Sequence, residues 1–181
     1  MEVSKGKLAG LFIFKPRKFS DNRGSFFESF HQADFEKAVG HAVQFVQDNE
    51  SISAQKVLRG LHFQRPPHAQ GKLVRVVRGS VLDVAVDLRK DSPTYGQHQL
   101  IELSAENGLQ FWIPPGFAHG FLSLEKDTVF AYKCTDYYHP ETEGALLWND
   151  PELNIQWGNT DPIVSGKDAE AGDFAIFASP F

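Results

Sequence analysis

Short runs in which apolar and polar residues alternate recur along the chain, and this period of two predicts β-strands. The clearest run is residues 81–88, where Leu82, Val84 and Val86 share one parity while Asp83 and Asp87 share the other. Such alternation is typical of a strand that buries one face. Strands are expected in the following segments: 8–14, 42–46, 57–63, 73–77, 81–88, 99–103, 109–113 and 128–134.

Only residues 31–41 have a helical pattern. Phe35, Ala38 and Val39 fall on one face of a helix there, and Gly40 stands where a left-handed C-cap is expected. The Gly79 step between two strands predicts a hairpin turn. Many short strands with little helix favour a closed barrel or a sandwich, whose open mouth can supply a binding pocket.

Composition is that of a soluble globular protein. The 181 residues are 41% hydrophobic and 23% charged, with a mean hydropathy of -0.31, so we expect a single domain over residues 1–181. No apolar run has the length of a membrane span, and the N-terminus has no secretory signal pattern, so a cytoplasmic location is expected. The single cysteine, Cys134, excludes an internal disulfide and is read as a small apolar residue.

Net charge narrows the range of partners. A charge of -5 and an isoelectric point near 5.8 argue against a nucleic-acid surface, which is normally basic. Taken alone, the same excess of acidic residues also disfavours an anionic small ligand.

Residues 113–122 contain a rigid turn followed by a histidine at the start of a predicted strand. The spacing of Pro114, Gly116 and His119 resembles the second motif of the cupins, which are jelly-roll barrels. Metal-binding cupins also have a first motif with two histidines one residue apart, whereas here His62 is followed by Gln64. An amide is a poor metal ligand, so no metal site is expected. The predicted fold is all-β, a cupin-like jelly-roll barrel with short peripheral helices.

His62 lies in a predicted strand with several cations close by in the chain. Arg59, Arg65 and Lys72 are its charged neighbours. They indicate either a pocket for an anion or a solvated strand edge, and the residues alone do not separate these alternatives. The histidines read as surface or hydrogen-bonded residues are His31, His41, His98 and His139.

Long blocks of the chain, in order, are similar to the dTDP-4-dehydrorhamnose 3,5-epimerases of the rhamnose pathway. These blocks are residues 19–30, 45–53, 57–96, 113–122, 132–157 and 164–170. The resemblance implies a homodimer that works without a metal or an organic cofactor. It also implies a dTDP-linked 4-keto-6-deoxyglucose as substrate, inverted at carbons 3 and 5, both of which flank the ketone.

The resemblance assigns four catalytic residues. His62 matches the base that removes the proton, and Asp168 matches the carboxylate that orients this histidine. Tyr132 matches the proton donor on the opposite face of the sugar. Lys72 matches the cation near the keto oxygen, where it would stabilise the enolate.

Further positions match the nucleotide-binding residues of the family. Arg23 and Arg59 match the diphosphate ligands, a role that suits guanidinium groups, and Tyr138 matches the aromatic residue that stacks on thymine. The remaining matches are Glu28, Gln47, Asp48, Asn49, His119, Glu143 and Lys167.

Two details conflict with a simple transfer of these roles. Arg59 and His62 have opposite parity in a regular strand, so both reach one pocket only if Gly60 introduces a bulge. Gly158 replaces the family's usual proline, which affects the path of the chain towards Asp168.

Three rival functions stay open at this point. The first is a 3- or 5-monoepimerase acting on a related keto sugar, and the second is a metal-dependent cupin enzyme. The third is a sugar-nucleotide binding module without catalysis. The sequence also leaves open whether Arg23 serves its own pocket or that of a partner.

Overall fold

The computed structural model describes residues 1–158 and 161–181. The thirteen strands are β1 Glu2–Lys5, β2 Phe12–Lys15, β3 Lys18–Asp21, β4 Gly24–Phe27, β5 Gln47–Ser53, β6 Leu58–Gln64, β7 Lys72–Arg78, β8 Ser80–Asp87, β9 His98–Ser104, β10 Gln110–Ile113, β11 Phe117–Ser123, β12 Thr128–Cys134 and β13 Glu143–Ala145. The α-helices are α1 Gln32–Val39 and α2 Gly166–Ala169, and single 3₁₀ turns lie at Pro140–Thr142 and Phe174–Ile176. In the part of the chain described, no helix has the length and apolar character needed to cross a membrane.

Two antiparallel sheets form the body of the molecule. One has six strands in the order β1-β2-β10-β7-β12-β5, and the other has five in the order β13-β6-β11-β8-β9. Apolar side chains from both sheets meet in one core, for example Val74 and Phe130 from the first and Phe117 and Phe121 from the second. The all-β, jelly-roll prediction is confirmed, although the two sheets share no paired strand within the described residues.

The outer face of the five-stranded sheet is covered by the C-terminal part of the chain. Leu146, Leu153, Ile155 and Trp157 pack there against side chains such as Val84. Strand β8 is therefore buried on both faces, and the expectation of a half-buried strand is wrong. The side chains of its polar parity point into the core between the two sheets. The apolar side chains of the other parity face the C-terminal segment, which covers them.

Several sequence predictions are confirmed and others are wrong. Helix α1 ends at Gly40, which has the expected left-handed backbone with φ 84°. Residues 42–46 form no strand. The strand instead covers Gln47–Ser53, where polar side chains give no apolar alternation that would predict it. The turn at Gly79 makes no hairpin, since β7 and β8 belong to different sheets.

Candidate active site

A bulge in β6 turns two side chains of opposite parity towards the same space. On the neighbouring strand β11, His119 pairs with His62, but Arg59 pairs with Phe121, so one extra residue is accommodated between them. Gly60 has a φ of 123°, and a Cβ there would lie 2.5 Å from the Cα of Gly120. Only glycine fits this close approach, and the bulge expected at Gly60 is confirmed.

His62 forms a hydrogen-bonded pair with Asp168. The His62 Nε2 atom lies 2.5 Å from Asp168 Oδ1, and the backbone N–H of Gly60 donates to Oδ2 at 3.4 Å. Asp168 is only 3% exposed. Burial by itself raises the pKa of this carboxyl, but its hydrogen bond with the His62 ring and weaker contacts outweigh burial, and the pKa is lowered. The carboxylate is therefore ionised and holds the imidazole in one orientation.

Asp168 reaches β6 through two local contacts of the C-terminal segment. Val57 and Ile163 form a parallel bridge that places this segment beside the start of β6. The Ser165 hydroxyl then accepts a hydrogen bond from the Asp168 N–H at 3.1 Å and begins α2. The departure at Gly158 thus does not prevent Asp168 from meeting His62.

Lys72 and Tyr132 approach from the other sheet. The Lys72 Nζ atom lies 5.9 Å from the centre of the Tyr132 ring. Burial lowers the pKa of the Lys72 ammonium group, although nearby Cys134 and Asp83 oppose this. Burial also raises the pKa of the Tyr132 phenol, so the phenol keeps its proton at neutral pH and is able to donate it.

A second imidazole–carboxylate pair lies beside the first. His119 Nε2 is 2.9 Å from Asp83 Oδ2, and the other Asp83 oxygen has no hydrogen-bond partner among the described residues. Asp83 is fully buried, and desolvation lowers the pKa of His119 in spite of this carboxylate. Sequence reasoning missed Asp83 as a site residue. Its signal was an acid in the middle of a strand whose neighbouring residues, from Val81 to Val86, are otherwise apolar.

These groups surround one cleft with a side recess. The cleft has a volume of about 440 Å³ and is lined by the His62–Asp168 pair and by His119, together with Arg59 and Lys167. The recess, of about 230 Å³, adds Gln47, Asn49, Tyr138 and Glu143. The residues common to both spaces are His62, Lys72 and Tyr132. Cations are thus gathered in one place on a chain of net charge -5.

Glu143 organises the outer part of the recess. Its Oε2 atom accepts a hydrogen bond from the Tyr138 hydroxyl at 2.8 Å and lies 2.5 Å from Lys167 Nζ. These two contacts lower the pKa of Glu143, although burial acts in the opposite direction and is the larger single effect. The three side chains therefore form one polar rim.

Three residues assigned from the sequence lie away from this cleft. Arg23 is in the turn of the β3–β4 hairpin, where its side chain is 85% exposed and 2.5 Å from Asp21. Asp48 points to the opposite face of β5 from its neighbours and pairs with Lys133 at 3.1 Å. Glu28 lies just after β4 and lines neither the cleft nor the recess.

Comparison with known proteins gives consistent matches over almost the whole chain. A family model described as dTDP-4-dehydrorhamnose 3,5-epimerase matches residues 5–175. The dTDP-4-dehydrorhamnose 3,5-epimerase of Salmonella typhimurium is 54% identical over 172 residues, which are 94% of each chain.

Solved structures agree with these matches. The dTDP-6-deoxy-D-glucose-3,5-epimerase of Legionella pneumophila, in complex with dTDP-4-keto-L-rhamnose, has a TM-score of 0.94 and 47% identity over 98% of this chain and 94% of that one. A 3'-monoepimerase from Streptomyces bikiniensis, in complex with dTDP-quinovose, has a TM-score of 0.90 and 34% identity over 94% of this chain and 87% of that one.

Proposed function

Because the chain belongs to the dTDP-4-dehydrorhamnose 3,5-epimerase family, we propose that its cleft inverts carbons 3 and 5 of a dTDP-linked 4-keto-6-deoxyglucose by proton transfer. The family resemblance drawn from the sequence is confirmed, and the chain is an isomerase. The observation that carries the mechanism is the placement of His62 and Tyr132 on opposite sheets of one cleft.

Inversion needs a base on one face of the sugar and an acid on the other. A proton next to the ketone is acidic because the carbanion left behind is delocalised as an enolate. His62, oriented by Asp168, removes this proton. Lys72 stabilises the negative charge on the enolate oxygen. Tyr132 then returns a proton from the other wall of the cleft, and the configuration at that carbon is inverted.

The remaining polar groups bind the nucleotide half of the substrate. Arg59 and Lys167 supply positive charge for the diphosphate at the edge of the cleft. Tyr138 offers a flat, half-exposed ring for the base, with Gln47 and Asn49 lining the same recess. His119 contacts the sugar from the wall beside His62.

The structure gives a reason to propose a homodimer with shared sites. The β3–β4 hairpin pairs with no other strand in the described residues, and its Phe19 and Phe26 rings are 53% and 72% exposed. Arg23 and Glu28 match nucleotide-binding positions, yet neither lines the cleft of its own chain. We therefore propose that the hairpin docks on a second copy and that both residues serve the partner's cleft.

Mixed dimers test this arrangement. Arg23→Ala and His62→Ala proteins should each be inactive or nearly so, and the two are mixed after reversible dissociation. If Arg23 acts in the partner's cleft, each mixed dimer has one intact site, and about a quarter of the wild-type activity returns. If Arg23 acts in its own cleft, mixing restores nothing.

Solvent exchange tests the reaction itself. In heavy water, the protein should incorporate deuterium at carbons 3 and 5 of the keto sugar, and His62→Ala should abolish incorporation without unfolding the chain. Incorporation at a single carbon, checked by the product's stereochemistry in NMR spectra, would instead establish a monoepimerase. Nucleotide binding without any exchange would establish a binding module and overturn the proposal.

A metal-dependent cupin enzyme would need a second metal ligand at the position of Gln64, and the contacts of Gln64 argue against this role. The Gln64 Nε2 atom donates to the His68 carbonyl at 2.7 Å, and Gln64 Oε1 accepts from the His139 N–H at 2.8 Å. This amide lines the recess, and both ends of its side chain are hydrogen-bonded to the backbone of two loops. The single-domain organisation and the cytoplasmic location stay predictions.

A further inference from the structure

Two histidines and an aspartate from separate loops meet outside the cleft. His68 lies between β6 and β7, whereas Asp136 and His139 follow β12. His68 Nδ1 is 3.1 Å from Asp136 Oδ2, and one possible ligand atom from each of the three residues lies within 4.8 Å of the other two. The His68 and His139 rings are stacked with their centres 3.5 Å apart. We call these three residues the loop triad.

Two glutamine amides, of which Gln64 is buried, hold the backbone around the loop triad. Gln64 hydrogen-bonds to the backbone of both loops, at His68 and at His139. Gln70 donates to the Asp136 carbonyl at 2.8 Å. The positions from which the three side chains extend are therefore set by the scaffold and not by the triad's own contacts.

The donor atoms have the chemistry of a transition-metal site. The Tyr137 N–H donates to one oxygen of the Asp136 carboxylate at 2.8 Å, and the other oxygen lies on the side of His68. Imidazole nitrogen suits Zn²⁺ and its neighbours in the first transition row, and carboxylate oxygen completes many such sites. In a tetrahedral zinc site adjacent ligand atoms are about 3.3 Å apart, close to the 3.1 Å between His68 and Asp136.

We propose that the loop triad of His68, Asp136 and His139 binds a divalent transition-metal ion such as Zn²⁺. Parallel rings cannot both point a lone pair at one ion, so His139 turns away from the stack on binding. Its ring is held on the other side by Glu141 at 3.0 Å, a carboxylate that is 65% exposed. A metal bond to His139 would replace this surface contact with Glu141.

Such an ion would restrict the motion of the loop that carries Tyr138. Two of the three ligands, Asp136 and His139, flank Tyr138 in the chain, and the third belongs to the opposite loop. Tyr138 forms the rim of the recess through its contact with Glu143. The metal would thus order the nucleotide end of the site from outside and take no part in proton transfer.

Titration with Co²⁺ tests the site, because bound Co²⁺ has visible absorption bands that report nitrogen ligands. The full-length protein should bind one Co²⁺ ion, which Zn²⁺ displaces. His68→Asn and His139→Asn should each weaken binding at least about tenfold. His41→Asn, which removes an exposed histidine elsewhere, is the matched control and should bind as the wild type does.

A second measurement distinguishes a loss of metal binding from misfolding of a variant. Zn²⁺ should raise the melting temperature of the wild type and the His41→Asn control, but not that of a folded His68→Asn variant. Deuterium exchange at the sugar carbons should continue in both histidine variants, since neither residue lies in the cleft. Absence of Co²⁺ binding by the wild type, or equal binding by all three variants, would overturn the proposal while leaving the epimerase assignment intact.

Discussion

Replacement of Asp168 by asparagine separates the role of the carboxylate charge from that of its shape. In the protein, Asp168 has a side chain only 4% exposed and contacts His62 at 2.5 Å. The amide has nearly the same volume and keeps one acceptor oxygen, but it no longer stabilises the imidazolium formed when His62 takes a proton. It also offers an N–H that can hold the ring in the wrong tautomer.

The size of the effect follows from the contact geometry. Opposite charges about 4 Å apart interact by about 4 kcal/mol at an effective dielectric constant near 20. This interaction is gained only after proton abstraction, so its loss should lower kcat by about a thousandfold and change KM little. The alternative tautomer can lower kcat further, towards about ten-thousandfold.

The assay is the initial rate of deuterium incorporation at saturating substrate for the wild type, Asp168→Asn and Glu170→Gln. Glu170 is an exposed acid at the end of the same short helix, so its variant controls for local charge. Melting temperatures verify that all three proteins are folded. An Asp168→Asn rate within tenfold of the wild type would refute the argument that this carboxylate supports the base.

Other predictions test the bulge, the proton donor and a buried acid far from the cleft. Gly60→Ala should destabilise the protein by about 1–3 kcal/mol and lower kcat/KM, because a Cβ 2.5 Å from the facing strand displaces Arg59 and His62; unchanged melting and kinetics would contradict this. Tyr132→Phe should keep its fold and lower the rate of inversion about 10²–10⁴-fold while proton abstraction continues, as product analysis in heavy water would show. Burial tends to raise the pKa of Asp87, but its hydrogen bonds prevail and lower the pKa from 3.8 to about 2. Its ionised form then contributes about 2 kcal/mol of stability above pH 4, which is lost as the pH falls towards 2. Urea unfolding of Asp87→Asn should show this difference at pH 7 and a smaller one at pH 2; equal differences would contradict the linkage.

Most of the fold could be predicted because the relevant signals are local. Alternation of apolar residues identified the central strands, and a left-handed glycine identified the end of α1. Strand β5 was missed since its inward-facing side chains, such as Gln47 and Asn49, line a polar recess and give no apolar period. The hairpin at Gly79 was wrong because a turn residue specifies a change of direction but not which sheet the next strand joins.

The site was predicted unevenly, for the same reason. The histidine of β6 and its nearby cations could be noticed from the residues, whereas Asp168 was assigned only through the family blocks. Asp83 was noticed only as a polar position of a half-buried strand, whereas its carboxylate lies 2.9 Å from His119. The expectation that an acidic chain disfavours an anionic ligand was also a poor guide, since Arg59, Lys72 and Lys167 line one cleft.

The sequence by itself determined the family, the all-β class and the kinds of groups available for proton transfer, because these depend on residue identity and short-range periodicity. Tertiary structure decided which groups meet. His62 and Asp168 are separated by 106 positions in the chain and come together only through the bulge at Gly60 and the bridge near Ile163. Arg23 lies on an exposed hairpin away from its own cleft. Such placements depend on how distant segments pack, and packing of this kind leaves no local pattern in a single sequence.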